Sequence, residues 1–303
     1  MLTRRQFVGS IAATTALAAL SRHAVHAVPG DIKFGYAAIT WQGQDVQAIE
    51  DVAAVGFKAI QLRSNIIPEF GDKPAALREL LAKHRLTMVA FSSGNLRIDP
   101  AVEREELEKH TRHARFVRDV GGTYLQMTDE RPKGREVTAA DYKRLGQLLT
   151  ELGKRTGDLG VPIGYHNHMN NLGERPEEVR AIMDAVDTRY VKLQLDTAHY
   201  QQGGGDPVAA VTEYKDRLLF LHIKDVEKQT PVAGATGDQA RGYRFVELGR
   251  GIVNLKGVFE ALNNIQFKGW AVVELDRVPG DVRTPKESAE ICKQYLEALG
   301  YRV

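Results

Sequence analysis

Alternating strand-like and helix-like segments predict a single (β/α)8 TIM barrel over residues 28–303, preceded by a signal peptide. Three observations carry this. Short apolar runs alternate with segments of helical spacing eight times, and such alternation implies a parallel sheet that eight units close. No change of composition separates the units. Four of the later strand-like runs end in His, Asp or Glu: GYHNH (164–168), VKLQLD (191–196), LFLHIKD (219–225) and AVVELD (271–276).

The elements follow in order. Lys33 to Trp41 (KFGYAAITW) reads as the first strand, and Val46, Ile49, Val52, Ala53 and Phe57 follow at helical spacing. Ala59 to Arg63 is the second strand, and Pro74 to Arg85 a helix with Leu77, Leu80 and Leu81 on one face. Thr87 to Ser92 is the third. Its helix, Glu103 to Val120, stops at Gly121-Gly122. Thr123 to Thr128 is the fourth, followed by a helix from Ala139 to Leu159. Val161 to His168 is the fifth, with its helix over Pro176 to Val186. Val191 to His199 is the sixth, then a helix from Val208 to Leu218. Leu219 to Asp225 is the seventh. A helix with Leu255, Val258, Phe259 and Leu262 in phase leads to the eighth, Trp270 to Asp276. Ser288 to Leu299 closes the chain. An open doubly wound sheet would want a glycine-rich turn after the first strand, and Ile39-Thr40-Trp41-Gln42-Gly43 is not one. The stretch from Val226 to Gly251 has no clear period and is long for a barrel loop. With Arg241, Tyr243, Arg244 and Phe245 in it, a lid is expected there.

The first 27 residues read as a twin-arginine signal peptide. Thr3-Arg4-Arg5-Gln6-Phe7 precedes an apolar run to Leu20, and Val25-His26-Ala27 offers small residues for cleavage after Ala27. A periplasmic or secreted location is expected, with no membrane association after cleavage. Of the 303 residues 43% are apolar and 26% charged, as in a globular protein. Lys and Arg number 41 against 39 Asp and Glu. Losing Arg4, Arg5 and Arg22 with the leader brings the signs near balance, so nothing suggests nucleic-acid binding. The lone cysteine, Cys292, is expected as a packed core thiol.

Side chains alternate along a strand, so the chemistry-bearing residues sort by face. Singly, Asp196 reads as a helix cap, Glu274 as a rim charge and His222 as a core histidine. Together they stand on neighbouring strands of one rim. His166 from the fifth strand, Asp196, His222 and Glu274 form a mixed nitrogen and oxygen set that suits one divalent metal ion, Mn²⁺, Co²⁺ or Zn²⁺ before Mg²⁺. His168 lies two residues from His166, and which of the two is the ligand stays open.

The motifs YHNHM (165–169), LDTAHY (195–200), LHIKD (221–225), LGRGIVN (248–254) and VVELD (272–276) resemble the xylose isomerase-like barrel superfamily. This sugar phosphate isomerase/epimerase group also holds ketose 3-epimerases, inosose dehydratase and endonuclease IV. The resemblance covers essentially the whole chain after the leader. It implies one metal ligand on each of the four strands, matched by Asp196, His222 and Glu274. Ketose epimerases carry on the fifth strand a Glu that doubles as an acid/base; His166 stands there, as in inosose dehydratase-like members. Gln61 stands where many relatives have Glu. His199 matches a substrate-binding histidine, and Lys224 points the same way as His222. Arg63, Gln126 and Glu130 lie at or beyond other strand ends.

The implied chemistry is proton abstraction next to a carbonyl, with Glu274 as base and His166 or His168 as second proton carrier. His199, Lys224, Arg63, Gln126 and His168 are the expected substrate contacts. A metal-dependent sugar isomerase or epimerase is the first expectation. A lyase or hydratase acting on a keto-sugar, 3-keto-glycoside or keto-inositol is the second. A non-catalytic carbohydrate-binding barrel is the third. The expected partner is a small sugar or keto-sugar. Relatives are often dimers or tetramers, which leaves a homo-oligomer open.

Overall fold

The structure, a computed structural model, describes residues 31–234 and 240–303. The leader expected over residues 1–27 lies outside the described residues. Eight parallel strands close into a barrel: β1 (Lys33–Ala37), β2 (Ala59–Arg63), β3 (Thr87–Leu96), β4 (Tyr124–Asp129), β5 (Ile163–His166), β6 (Val191–Asp196), β7 (Leu218–Ile223) and, last in the chain, β10 (Trp270–Val273). Each strand pairs with its neighbour in sequence, and β10 closes on β1 through Lys33↔Trp270 to Tyr36↔Val273. Helices cover the outer face, so most strand residues are buried on both sides and read as continuous apolar runs. The main core lies between strands and helices. A second cluster of Ala37, Ala59, Val89, Ala90, Phe220 and Val272 is joined by Tyr124, whose ring stacks on Phe220 at 5.1 Å. No helix among the described residues is long and apolar enough to cross a membrane. Cys292 is buried and unpaired, as expected.

The structure moves several expected boundaries. The first strand ends at Ala37 instead of Trp41, because Ala38–Trp41 turns as a 3-10 helix and Gln42 takes a left-handed φ of 51°. The turn is fastened to the neighbouring chain segment beyond β10 by Thr40 Oγ1, which donates to the Leu275 carbonyl at 2.6 Å. The third strand runs on to Leu96, through a register shift between Ser92 and Asn95 where Gly94 has φ 92°. The fifth strand ends at His166, which puts His168 on the following loop. The sixth ends at Asp196. His199 therefore lies on a short helix, Thr197–Gln202, whose first turn Asp196 caps by accepting from the His199 amide at 2.8 Å.

The stretch without a clear period is an antiparallel hairpin. β8 (Asp225–Lys228) pairs with β9 (Tyr243–Val246), Asp225 opposite Val246. Residues 235–239, between the two strands in sequence, are outside the described residues. Four backbone amides converge on the Asp225 carboxylate: Val226 and Val253 on Oδ1, Gly249 and Gly251 on Oδ2, at 2.9–3.1 Å. This contact ties LHIKD to LGRGIVN. A Cβ at 251 would stand 2.2 Å from Asp225 Oδ1, so only glycine fits.

Candidate metal centre

The site lies where the barrel strands end. In the register of β6 and β7, Asp196 stands opposite His222, and His222 stands opposite Val272, two residues before Glu274. The inward side chains therefore meet. His222 Nδ1 is 3.5 Å from Asp196 Oδ2 and 3.4 Å from Glu274 Oε1. His166 Nε2 is 3.4 Å from the same Asp196 Oδ2. Ligand atoms of Asp196, His222 and Glu274 all lie within 4.8 Å of one another, and so do those of His166, Asp196 and His199. All five residues are buried.

Three observations bear on whether this set fits a cation. His222 Nδ1 is buried with no hydrogen-bond partner, while its Nε2 donates to Gln61 Oε1 at 2.9 Å. Nδ1 therefore faces two carboxylates and nothing else, so a metal ion can take the place of its proton there. Burial alone would lower the His222 pKa, but Glu274 and Asp196 outweigh it and hold it up at about 9. Burial would raise Asp196 and Glu274, yet the surrounding histidines and Lys224 hold both well below the usual carboxylate range. The cluster draws positive charge to its centre, and mixed nitrogen and oxygen donors suit a divalent transition metal.

Lys224 is fully buried. Its ammonium lies 2.9 Å from Glu274 Oε1, 2.6 Å from Asp276 Oδ1 and 3.3 Å from His199 Nε2. Its three donors are thus directed at protein groups, and it reaches the cleft through them. The nearby carboxylates outweigh burial and keep it protonated. Phe245 of β9 closes over it, with Nζ 4.2 Å from the ring centroid, and meets His199 edge-on. Arg241, preceding β9, reaches Glu174 Oε1 at 2.6 Å and Asn170 Oδ1 at 2.8 Å. The hairpin thus spans to the loop after β5, where a lid belongs.

Imidazoles crowd the centre. The rings of His168 and His199 are 3.8 Å apart, and those of His166 and His222 4.6 Å apart. Burial pushes His166 down to about 4 and His199 well below its usual value, so both are neutral near pH 7. His168 Nδ1 donates to the Met169 carbonyl at 2.8 Å, which leaves Nε2 toward the cleft. The cleft, about 340 Å³, is lined among others by Arg63, Asn95, Gln126, Thr128, His168 and Asp276. Arg63, Gln126 and His168 are therefore brought to the site. Glu130 is not, and pairs with Lys133 instead.

A larger hollow of about 900 Å³ opens beside the loops after β3 and β4. Its arginines are already paired: Arg97 with Glu106, Arg131 with Glu178, Arg135 with Asp141 and Arg144 with Glu103. We assign it no chemistry.

Sequence reasoning passed over four supporting residues. Asp276 shares Lys224 with Glu274. Asn167 braces β5 against β6, its Oδ1 accepting from the Asp196 amide at 2.8 Å. Thr197 Oγ1 accepts from the Lys224 amide at 3.0 Å. Gln194 donates to Gln126 Oε1 at 2.9 Å. Gln194 and Asp276 had a signal, each two residues from a ligand candidate, Asp196 and Glu274, in a run read as strand.

The family model of the xylose isomerase-like TIM barrel matches residues 49–297. The chain belongs to that family. An inosose dehydratase of Bacillus velezensis is 25% identical over 299 residues, covering 88% of this chain and 96% of the relative. One from Lacticaseibacillus casei is 26% identical over 303 residues, covering 88% and 97%. Among solved structures, the IOLI protein with a binding zinc atom superposes with a TM-score of 0.75 at 21% identity, over 89% of this chain and 98% of that one. An L-ribulose 3-epimerase superposes with a TM-score of 0.70 at 16% identity, over 88% and 94%. The two structures share the fold with this chain.

Proposed function

We propose that this family member is a divalent-metal-dependent lyase of the dehydratase kind, acting on a keto-inositol or keto-sugar. It removes a proton next to a carbonyl and expels the β-hydroxyl as water. The observation that carries this is the asymmetry of the site. Glu274, held by Lys224, stands just beyond β10 on one side of the cleft, and His168, on the loop after β5, lines the other. Elimination needs a base for the α-proton and a separate donor for the departing hydroxyl. The resemblance to inosose dehydratases over most of the chain supports the same class.

When bound, a divalent ion held by Asp196, His222 and Glu274 supplies Lewis acidity to a substrate carbonyl. Mn²⁺, Co²⁺ or Zn²⁺ suits this donor set. Lys224 holds the Glu274 carboxylate in place and keeps it ionised, so its free oxygen takes the α-proton. His168 faces the substrate's other side; entering the reaction with a proton on Nε2 as well as on Nδ1, it gives the Nε2 proton to the leaving oxygen, and the proton on Glu274 is released to solvent afterwards, while the neutral His166 transfers none. Arg63, Asn95, Thr128 and Asp276 offer hydrogen bonds to ring hydroxyls, and a cleft of this size takes one small polyol. His199 sets Lys224 from behind.

The isomerase or epimerase expected from the motifs shares the first proton transfer and stays as a second reading. Against it stands His166, which occupies the place where ketose epimerases of the group keep a Glu as second proton carrier. One assay separates the two. The purified protein, loaded with Mn²⁺, Co²⁺ or Zn²⁺, is incubated with an inosose and with 3-keto-hexosides, and the products are weighed by mass spectrometry. Loss of water or of an aglycone supports the lyase. Unchanged mass with an altered stereocentre overturns it in favour of the epimerase. No turnover, but tight sugar binding with every metal, favours the non-catalytic barrel. The twin-arginine leader makes export part of the proposal, on the sequence alone.

A further inference from the structure

Beneath the metal centre three glutamines lie side by side, Gln61 on β2, Gln126 on β4 and Gln194 on β6, all buried. They join the two histidines of the centre. His222 Nε2 meets Gln61 Oε1 at 2.9 Å, Gln61 Nε2 meets Gln126 Oε1 at 2.9 Å, and Gln126 Nε2 meets His166 Nδ1 at 2.9 Å. An amide has one donating and one accepting end, so this chain has a direction. A neutral imidazole likewise donates at one nitrogen and accepts at the other. A histidine that ligates a metal needs its lone pair on the ligating nitrogen and an N–H on the other.

These requirements interlock. If His222 ligates through Nδ1, its Nε2 must donate. Gln61 then turns its oxygen to His222 and its NH₂ to Gln126. Gln126 in turn presents oxygen to Gln61 and NH₂ to His166. His166 Nδ1 becomes an acceptor, and its proton sits on Nε2, the nitrogen that faces Asp196. Turning both amides round reverses every step, so that His166 ligates and His222 does not. Whichever way they are turned, two amides in series never prepare both imidazoles to ligate. The carboxylates decide between the two. His222 Nδ1 lies between Asp196 and Glu274 and has no hydrogen-bond partner. His166 Nε2 faces Asp196 alone, at 3.4 Å.

We infer that the metal is held by three side chains, Asp196, His222 and Glu274, that His166 is not a ligand but presents its Nε2–H to Asp196, and that Gln61 and Gln126 are positioning residues that enforce this difference. The inference rests on the metal reading above and changes the four-ligand set expected from the sequence. Three protein ligands leave coordination positions open for substrate. It also gives Gln61 a role. A carboxylate at position 61 accepts at both oxygens, so the chain would lose its direction. Gln126 would then turn its NH₂ toward position 61, and Gln194, which donates to Gln126 Oε1 and whose own Oε1 lacks a partner, would turn that oxygen to meet it. The Gln126 oxygen would face His166, whose Nδ1 would donate and whose Nε2 would be free to ligate.

The test is proton NMR of the Co²⁺-loaded full-length protein in water, where the N–H of a metal-bound imidazole gives a paramagnetically shifted, solvent-exchangeable resonance. One such resonance is expected in the wild type. It is expected to persist in His166→Asn with about one Co²⁺ per chain still bound, and a second should appear in Gln61→Glu. Two in the wild type, one of them lost in His166→Asn, would overturn the inference. So would a single resonance in a folded Gln61→Glu. If circular dichroism shows that Gln61→Glu does not fold, the wild type and His166→Asn decide alone. A wild type that takes up no Co²⁺ fails earlier, at the metal reading itself, and removes the ligand assignment with it.

Discussion

Glu274 is asked to do two things, to hold the ion and to take the proton, and its surroundings fit both. Lys224 and His222 grip Oε1, which leaves Oε2 for substrate. Glu274→Gln keeps the shape and removes the charge. Turnover of the preferred keto-substrate should fall at least about 1,000-fold while the circular dichroism spectrum stays unchanged; full activity would sink the assignment. Lys224→Met is a different experiment, because it removes a buried cation from between two carboxylates. Breaking a buried charge network in this way costs about 3–5 kcal/mol, so the urea midpoint should drop clearly as well as the activity. These residues were legible to different degrees. Asp196, His222 and Glu274 could be found because a strand alternates and each closes an apolar run. Asn167 and Thr197 could not, because their roles depend on which strand ends become neighbours across the rim.

The strands were legible for the same reason, since buried parallel strands leave an apolar run whatever surrounds them. Their ends were not. The residues after Ala37, His166 and Asp196 still look strand-like, and only contacts made elsewhere bend them: Thr40 to Leu275, Asn167 to Asp196, and the Asp196 cap. The hairpin was illegible because its strands are short and its anchor is a single side chain distant in sequence. That anchor, Asp225, answers four amides. Asp225→Ala leaves those amides without their acceptor in a mostly dry setting and should cost about 3 kcal/mol. Hydrogen exchange should localise the effect. The amides of Gly249, Gly251 and Val253 should lose protection by 10-fold or more while the strands β2 to β4 keep theirs. Uniform loss across the barrel would mean that the hairpin is not a separate unit.

At the scale of the whole molecule the buried histidines set opposite pH limits, and the metal should remove one of them. An unfolded histidine titrates near pH 6.5. His166 and His113 are held down at about 4 by burial, so the unfolded chain takes up protons first as pH falls. The folded state loses stability from about pH 6.5 down to 4. His113 is partly exposed, so its share is the smaller. His222 has the opposite sign. With its pKa raised to about 9 by Glu274 and Asp196, it contributes stability that is fully present below pH 6.5 and lost as pH rises through 9. That loss is on the order of 3 kcal/mol. Chelator-treated protein should therefore be most stable near pH 6.5 and melt earlier in both directions. A metal on Nδ1 takes the place of the proton, so the ion binds more tightly as pH rises from 6.5 to 9. The alkaline limb should then vanish in the loaded protein. Melting temperatures measured from pH 5 to 9 with and without Co²⁺ or Zn²⁺ check this. At roughly 2–4 °C per kcal/mol for a chain of this size, the two curves should separate by several degrees at pH 9 beyond their separation at pH 6.5. Parallel curves would mean that His222 does not exchange its proton for the ion.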